Sequence, residues 1–356
     1  MDLFDLGWSK EYATFLKKNL DENDIPGRII HHSGRHYKIL TEKGECTATI
    51  SSSFLNDIKD RSGIPEVGDW VAIDKDTEIN RYQIEYLFPR KNKLSRKTAG
   101  KISVEQIIAA NIDIVFIVTS VDQDFNLRRL ERFLAMIYEI DAQPVIILNK
   151  IDKNPEYMSY KKKIVEIGNV PIIPISAKTG RNIQDVRSFI SKGTTIVLVG
   201  SSGVGKSTLI NQLLGYNRQA VGETRKDDDK GRHITSSREL ILLPNGGMMI
   251  DNPGIRELQL WSSGDGVSKV FEDIEEIARS CKFRDCQHEH EPGCAVLEAV
   301  KDGRISIDRL NSYRKLLREN EYLQLRRNKY EQRKKDKQRG KMYRKVHDLQ
   351  RLKGKK

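Results

Sequence analysis

The eight residues Gly200-Ser201-Ser202-Gly203-Val204-Gly205-Lys206-Ser207 constrain the fold of this chain more than any other stretch. The apolar run Thr195-Ile196-Val197-Leu198-Val199 precedes them, and Thr208-Leu209-Ile210-Asn211-Gln212-Leu213-Leu214 follows. The pattern predicts a buried strand, a glycine turn and an amphipathic helix. Such a turn lets backbone N–H groups wrap a polyphosphate at a helix N-terminus, where the partial positive charge of the helix adds to the attraction. Residues Gly200 to Thr208 then form a phosphate cradle. Lys206 is placed to reach the β- and γ-phosphates and Ser207 to put a hydroxyl on Mg²⁺. Kinases, ATPases and GTPases share this loop, so it does not select the nucleotide.

At 356 residues the chain is too long for one ordinary domain and predicts two or three. No run of about 18 apolar residues exists, and the start Met1-Asp2-Leu3-Phe4-Asp5 lacks a basic-then-apolar signal pattern, so a cytoplasmic protein with no membrane partner is expected. The net charge of +12 is very uneven. Residues Arg326–Lys356 hold 15 Lys and Arg against Glu331, Asp336 and Asp348, so the tail carries the whole excess. A concentrated cationic segment fits a polyanion, and nucleic acid is the expected one. Deleting the tail should flatten the salt dependence of RNA binding.

Residues 8–19 carry Trp8, Tyr12, Phe15 and Leu16 near helical spacing, which predicts a short docking helix. From Gly27 to Phe88 the pattern changes to five short alternating segments, Arg28–His32, Tyr37–Thr41, Cys46–Ile50, Trp70–Asp74 and Tyr82–Phe88. So short a sheet needs closure to protect its edges, which predicts an oligonucleotide-binding-type (OB-like) barrel with Cys46 in its core. Arg28, His32, Arg35, His36 and Tyr37 are candidates to face a nucleic-acid backbone. Pro89-Arg90-Lys91-Asn92-Lys93 reads as a linker. Beyond it, strands at Ile112–Thr119, Pro144–Leu148, Val170–Ile175 and Thr195–Val199 alternate with helices at Leu127–Ile140, Tyr157–Gly168 and Asn182–Ile190, the signature of a mostly parallel α/β sheet. Glu239–Leu243 and Met248–Asp251 add a hairpin.

Asn149-Lys150-Ile151-Asp152 follows a strand, where open α/β sheets place ligand contacts. One carboxylate, that of Asp152, can accept both the N1–H and the 2-amino group of guanine, whereas adenine offers neither donor there. Asn149 would tie the loop to the base or the phosphate loop, and the Lys150 stem would pack over the base. Ser176-Ala177-Lys178, again after a strand, offers a backbone N–H for the guanine carbonyl. Asp251-Asn252-Pro253-Gly254 supplies a carboxylate on the magnesium side and the Gly254 N–H for the γ-phosphate. The polar stretch Gly222–Thr235 reads as a switch, with Thr235 completing the magnesium shell and Thr224 as the alternative. Ile255 stands where a water-orienting glutamine is usual, so intrinsic turnover should be slow and a partner should complete the site; His233 is the resident candidate for positioning water.

The order of these motifs is permuted. Asn149 and Ser176 precede Gly200, whereas ordinary GTPases begin with the phosphate loop. After the switches come Cys281, Cys286, His288 and Cys294, three thiols and an imidazole within 14 residues. Disulfides are disfavoured in the cytosol, so a structural Zn²⁺ is expected, with His290 an alternative to His288 on spacing alone.

A barrel, a permuted GTPase domain and a C-x4-C-x-H-x5-C segment together resemble the bacterial family of ribosome-small-subunit-dependent GTPase A. Val67-Gly68-Asp69-Trp70-Val71, the run Asn126–Arg132, and Thr224-Arg225 through Arg232-His233 carry the resemblance along with the nucleotide motifs, over roughly residues 25–315. It implies GTP hydrolysis to GDP and phosphate, stimulated by the 30S subunit during late maturation, with the barrel on 16S ribosomal RNA and zinc in the C-terminal domain. Two departures are visible: His233-Ile234-Thr235-Ser236 where consecutive threonines are usual, and Asn252 where threonine or serine is usual. The expected architecture is an N-terminal extension (1–24), an all-β OB-like barrel (25–90), a central α/β circularly permuted P-loop GTPase domain (91–266), a mostly helical zinc-binding domain (267–318) and a basic tail (319–356), in a monomer.

Overall fold

The computed structural model describes residues 2–19, 24–58, 61–76, 81–97, 105–218, 238–251, 265–325 and 332. Two compact units are present, Met1–Trp261 and Ser262–Lys356.

The first unit begins with a short 3₁₀ turn, Leu3–Leu6, and helix α1 (Lys10–Asn19). Five strands follow: β1 (Ile25–Ser33), β2 (His36–Thr41), β3 (Gly44–Ile50), β4 (Trp70–Asp76) and β5 (Arg81–Leu87). They pair in the order β1-β2-β3-β5-β4, and β4 returns to β1 through Ile25↔Ile73 to Arg28↔Trp70. Only the β3–β5 pair is parallel. The sheet is therefore a closed five-strand barrel, as the alternating segments predict, and closure leaves no bare edge. Helix α2 (Ser52–Asp57) follows β3 and is capped by Ser51, whose Oγ accepts from Phe54 N at 3.1 Å. Cys46 is only half-buried. The predicted docking helix packs on the barrel through aromatic edges: Trp8 meets Trp70 at 4.7 Å and Phe88 at 5.2 Å, and Phe15 meets Tyr86 at 5.5 Å.

Arg28 and Tyr37 do not face a nucleic acid. They are 1% and 2% exposed. The Arg28 guanidinium donates to Leu6 O, to Gly68 O at 3.2 Å, to Asn111 O at 3.2 Å and to Thr195 Oγ1 at 2.8 Å. Burial lowers its pKa to about 10, with Asp113 opposing, so it stays cationic at neutral pH. One residue thus ties the N-terminal turn, the barrel and the strand before the phosphate loop. Of the other candidates, Arg35 and His36 are exposed, and His32 is half-buried, stacked on Tyr37 with its Nδ1 3.6 Å from a Glu66 carboxylate oxygen.

The segment after Pro89 is not only a linker. Strand β6 (Lys93–Lys97) pairs antiparallel with β7 (Glu105–Ala110). The charges of Lys93, Arg96 and Lys97 hid this alternation. Next come β8 (Ile114–Ser120), α3 (Leu127–Glu139), β9 (Gln143–Asn149), α4 (Tyr157–Val165), β10 (Ile172–Pro174), α5 (Ile183–Arg187), β11 (Thr195–Val199), α6 (Lys206–Leu214), β12 (Glu239–Leu242) and β13 (Met248–Asp251). Strands β10-β9-β8-β11-β13 run parallel and β12 closes as the predicted antiparallel hairpin. Every residue of β8 and β11 is buried, as parallel strands covered on both faces require. Phe116, Ile147, Leu198, Leu209, Leu213 and Met249 belong to one apolar cluster that packs α6 against the sheet. Residue pair His31↔Glu239 joins β1 to β12, so barrel and nucleotide sheet form one continuous hydrogen-bonded surface.

The motif Val67-Gly68-Asp69-Trp70-Val71 explains itself at this joint. Gly68 has φ +92°, and a Cβ there would lie 2.3 Å from Ala110 O. Asp69 is fully buried and takes a two-pronged bond from Arg90, at 2.7 and 2.6 Å. Gly68→Ala should destabilise this unit by about 3 kcal/mol, combining left-handed strain with the steric overlap. Denaturant titration by circular dichroism reads this; a change below about 0.5 kcal/mol, the usual surface-mutation range, would show that the Ala110 backbone yields freely.

The second unit contains α7 (Asp265–Val270), α8 (Glu272–Ala278), α9 (Ala295–Lys301) and a helix over residues 307–325, here α10. Phe271, Ile274, Val296, Leu310 and Leu316 are buried in it. Arg309 clamps Asp273 at 2.7 and 2.8 Å and lies 4.8 Å from the Phe271 ring centre. Among the described residues, no helix is long and apolar enough to cross a membrane.

Candidate nucleotide-binding site and metal centre

Because β8, β9, β10, β11 and β13 are parallel, their C-terminal ends share one edge of the sheet. The loop Gly200–Gly205 leaves β11 there and enters α6, whose first residue is Lys206. Gly203 and Gly205 have φ of +81° and +99°, which residues with side chains rarely adopt. The Lys206 ammonium donates to Gly200 O at 2.8 Å and Ser201 O at 2.5 Å, which sets its charge across the mouth of the loop. Ser207 and Thr208 occupy the first turn of α6. On the neighbouring strand, Val197 is in register with Ile250, so Asp251 comes to the same edge beside Leu198.

Asn149 ends β9 and acts as the predicted tie. Its Nδ2 donates to Val204 O at 2.8 Å, and its Oδ1 accepts from Ala177 N at 2.9 Å. One buried side chain therefore joins phosphate loop, Asn149–Asp152 and Ser176–Lys178. The Ala177 N–H is thus already engaged, and a guanine carbonyl oxygen would share it with Asn149. Ser176 Oγ donates to Asp152 Oδ1 at 2.5 Å, which fixes the orientation of that carboxylate.

Sequence reasoning missed Asp122, just beyond β8. Its Oδ2 holds the Lys150 ammonium at 2.7 Å, while Ser120 Oγ and Asp124 N donate to its Oδ1 at 2.7 and 3.1 Å. Burial pushes the Asp122 pKa up, but these donors outweigh it and leave the carboxyl below its ordinary value. Its position at a parallel strand's C-terminal end was the available signal. The expected roles of Thr224, His233, Thr235 and Gly254 lie outside the described residues.

In the second unit the ligand atoms of Cys281, Cys286, His288 and Cys294 all lie within 4.8 Å of one another. Cys281 Sγ is 3.6 Å from His288 Nδ1 and 3.9 Å from Cys294 Sγ, and His288 Nδ1 is 3.4 Å from Cys294 Sγ. A tetrahedral zinc with Zn–S of about 2.3 Å and Zn–N of about 2.0 Å has edges of about 3.8 and 3.5 Å, so the donor set fits that ion. His288, rather than His290, enters the cluster. A second missed residue, Glu291, braces the loop: its carboxylate accepts from the N–H groups of Gln287, Glu289 and His290 at 2.8, 2.8 and 3.0 Å. Those bonds hold its pKa down at about 2. Glu291→Ala is expected to weaken metal retention about tenfold, read by competition with a chelator, because the backbone on either side of His288 loses its support.

A phosphate loop that follows, rather than precedes, the Asn149–Asp152 and Ser176–Lys178 loops at one sheet edge defines a circularly permuted P-loop GTPase. Comparison with known proteins agrees and narrows the class. The family model described as RsgA GTPase matches residues 87–261. A small ribosomal subunit biogenesis GTPase RsgA of Methanosarcina acetivorans is 48% identical over 82% of this chain and 78% of its own length. A second such protein, RsgA 2 of Vibrio vulnificus, is 40% identical over 99% and 97%. Among solved structures, YjeQ from Thermotoga maritima aligns with TM-score 0.62 at 26% identity, covering 83% of this chain and 98% of that one. YloQ, a circularly permuted GTPase, aligns with TM-score 0.60 at 25% identity over 84% and 96%. The chain belongs to the RsgA family of small ribosomal subunit biogenesis GTPases, and it is a GTP hydrolase.

Proposed function

We propose that this chain binds GTP with Mg²⁺ along the sheet edge, docks on the 30S subunit late in its maturation, and hydrolyses GTP to GDP and phosphate when the subunit completes the site. The observation that carries this reading is Asn149, whose amide joins Val204 and Ala177 and so fuses the phosphate and base loops into one nucleotide seat. Lys206 neutralises the phosphates, Ser207 and Asp251 serve Mg²⁺, and Asp152, set by Ser176, reads guanine. Thr235 closes the magnesium shell, Gly254 N–H meets the γ-phosphate and His233 positions water. In the same reading, zinc holds the Cys281–Cys294 loop, and the barrel, the zinc-binding segment and the basic tail grip 16S rRNA by charge and shape. The extension to residue 24, barrel (25–90), GTPase core (91–266), zinc segment (267–318) and tail (319–356) are the functional parts of a cytoplasmic monomer, since the ribosome is its partner.

The test is phosphate release by the purified protein from GTP and from ATP, alone and with 30S subunits, with Lys206→Ala as the blank. Turnover confined to GTP and raised at least tenfold by subunits is expected. Tight GTP binding without stimulation would instead make the nucleotide a structural ligand of an RNA-binding protein.

A further inference from the structure

The cluster of three thiols and an imidazole has a charge problem. Zn²⁺ bound by three thiolates and a neutral imidazole leaves a net charge of −1, placed where two of the ligands, His288 and Cys294, are buried. Such an anion needs a nearby cation.

Arg314 on α10 has the converse problem. Its Nε and Nη2 are shielded from water and have no hydrogen-bond partner among the described residues. Shielded guanidinium nitrogens without partners cost stability unless a counter-charge is close. The helix that carries it reaches the ligand loop. Arg318, one helical turn further on the same face, pairs with Glu289, the residue after His288. The carboxylates of this neighbourhood are committed elsewhere: Glu291 to three loop N–H groups, and Glu275 to Tyr313 Oη at 2.8 Å and Ser268 Oγ at 3.1 Å. The Glu291 and Arg314 charges both act on the His288 imidazole, so the guanidinium lies within electrostatic reach of the cluster.

We propose that Arg314 is the counter-charge of the metal centre: its guanidinium balances the −1 charge of the zinc tris-thiolate through space, so that the α10 face and the ligand loop are stable together only when the ion is bound. The proposal rests on the zinc reading of the cluster. Its distinctive consequence is a reversal of sign. With zinc bound, removing the guanidinium removes a favourable attraction. With zinc stripped and the thiols protonated, the same removal relieves a shielded cation that has no hydrogen-bond partner among the described residues.

The experiment uses the full chain, with Arg314→Met, Arg314→Gln and Arg314→Lys. Zinc affinity is read by competition with a chromogenic chelator, and melting is followed by circular dichroism in the zinc-loaded and chelator-stripped protein. The Met and Gln variants should bind zinc about 10- to 100-fold more weakly, while Lys, which keeps the charge, stays within about threefold of the parent. The Met variant should melt below the parent when loaded and at or above it when stripped. Unchanged zinc affinity in Met and Gln overturns the proposal, as does an equal drop in melting temperature in both states, which marks a packing role. A parent chain that retains no equivalent of zinc overturns the zinc reading itself, and the proposal with it.

Discussion

Asp152→Asn is expected to cost about 10³-fold in GTP affinity, two charge-assisted bonds at about 2 kcal/mol each, and to favour xanthosine triphosphate instead. The carboxylate is held by Ser176 Oγ at 2.5 Å, so it meets a base already oriented. It can accept the guanine N1–H and 2-amino group together. An asparagine turns an N–H₂ group or a single carbonyl toward the same edge, which leaves guanine donors unpaired, whereas xanthine carries a carbonyl where guanine carries the amino group. Competition against a fluorescent guanine nucleotide measures both affinities. Should Asp152→Asn bind GTP within tenfold of the parent, the base lies elsewhere and the guanine assignment is wrong.

Gly205→Ala is expected to weaken GTP and GDP alike by about 10²–10³-fold while the fold stays intact. Two costs combine. Gly205 has φ +99°, and a methyl group there would lie 2.3 Å from Asn149 Nδ2. Left-handed strain contributes about 1–2 kcal/mol, and losing the buried Asn149–Val204 bond about 1–3 kcal/mol. The loop then parts from the Asn149–Asp152 segment, which is proposed to read the base. Gly215→Ala is the control, because Gly215 has φ +79° but nothing within 4 Å of a new Cβ. Strain alone should change its nucleotide affinity little, and calorimetric titration of both variants separates the two costs. Equal losses in the two would mean that backbone strain, not the Asn149 contact, governs the loop.

Much of the nucleotide site was legible because its chemistry is local. The strand Thr195–Val199 is legible at its observed bounds, the Asn149 motif begins on the last residue of β9, and Ser176 follows just after β10. Alternation in the barrel segments foretold five strands, and thiol spacing foretold the metal cluster. What stayed hidden is long-range. Arg28 looked like a surface cation, yet it bonds Thr195, 167 residues away, and the joint around Gly68 depends on the Ala110 carbonyl. Asp122 was one acidic residue among many until folding set it against Lys150.

By itself, then, the sequence determined the kinds of element, the permuted order of the motifs and the chemistry each can offer, because periodicity and spacing act over a few neighbouring residues. Only the tertiary structure decided which charges are buried and what they face. It made Arg28 a brace and not an RNA contact, chose His288 over His290, fused barrel and nucleotide sheet through His31↔Glu239, and shielded two Arg314 nitrogens that have no hydrogen-bond partner among the described residues. The physical reason is that the energy of a charge depends on the dielectric and the partners around it, and those are assembled from segments far apart in the chain.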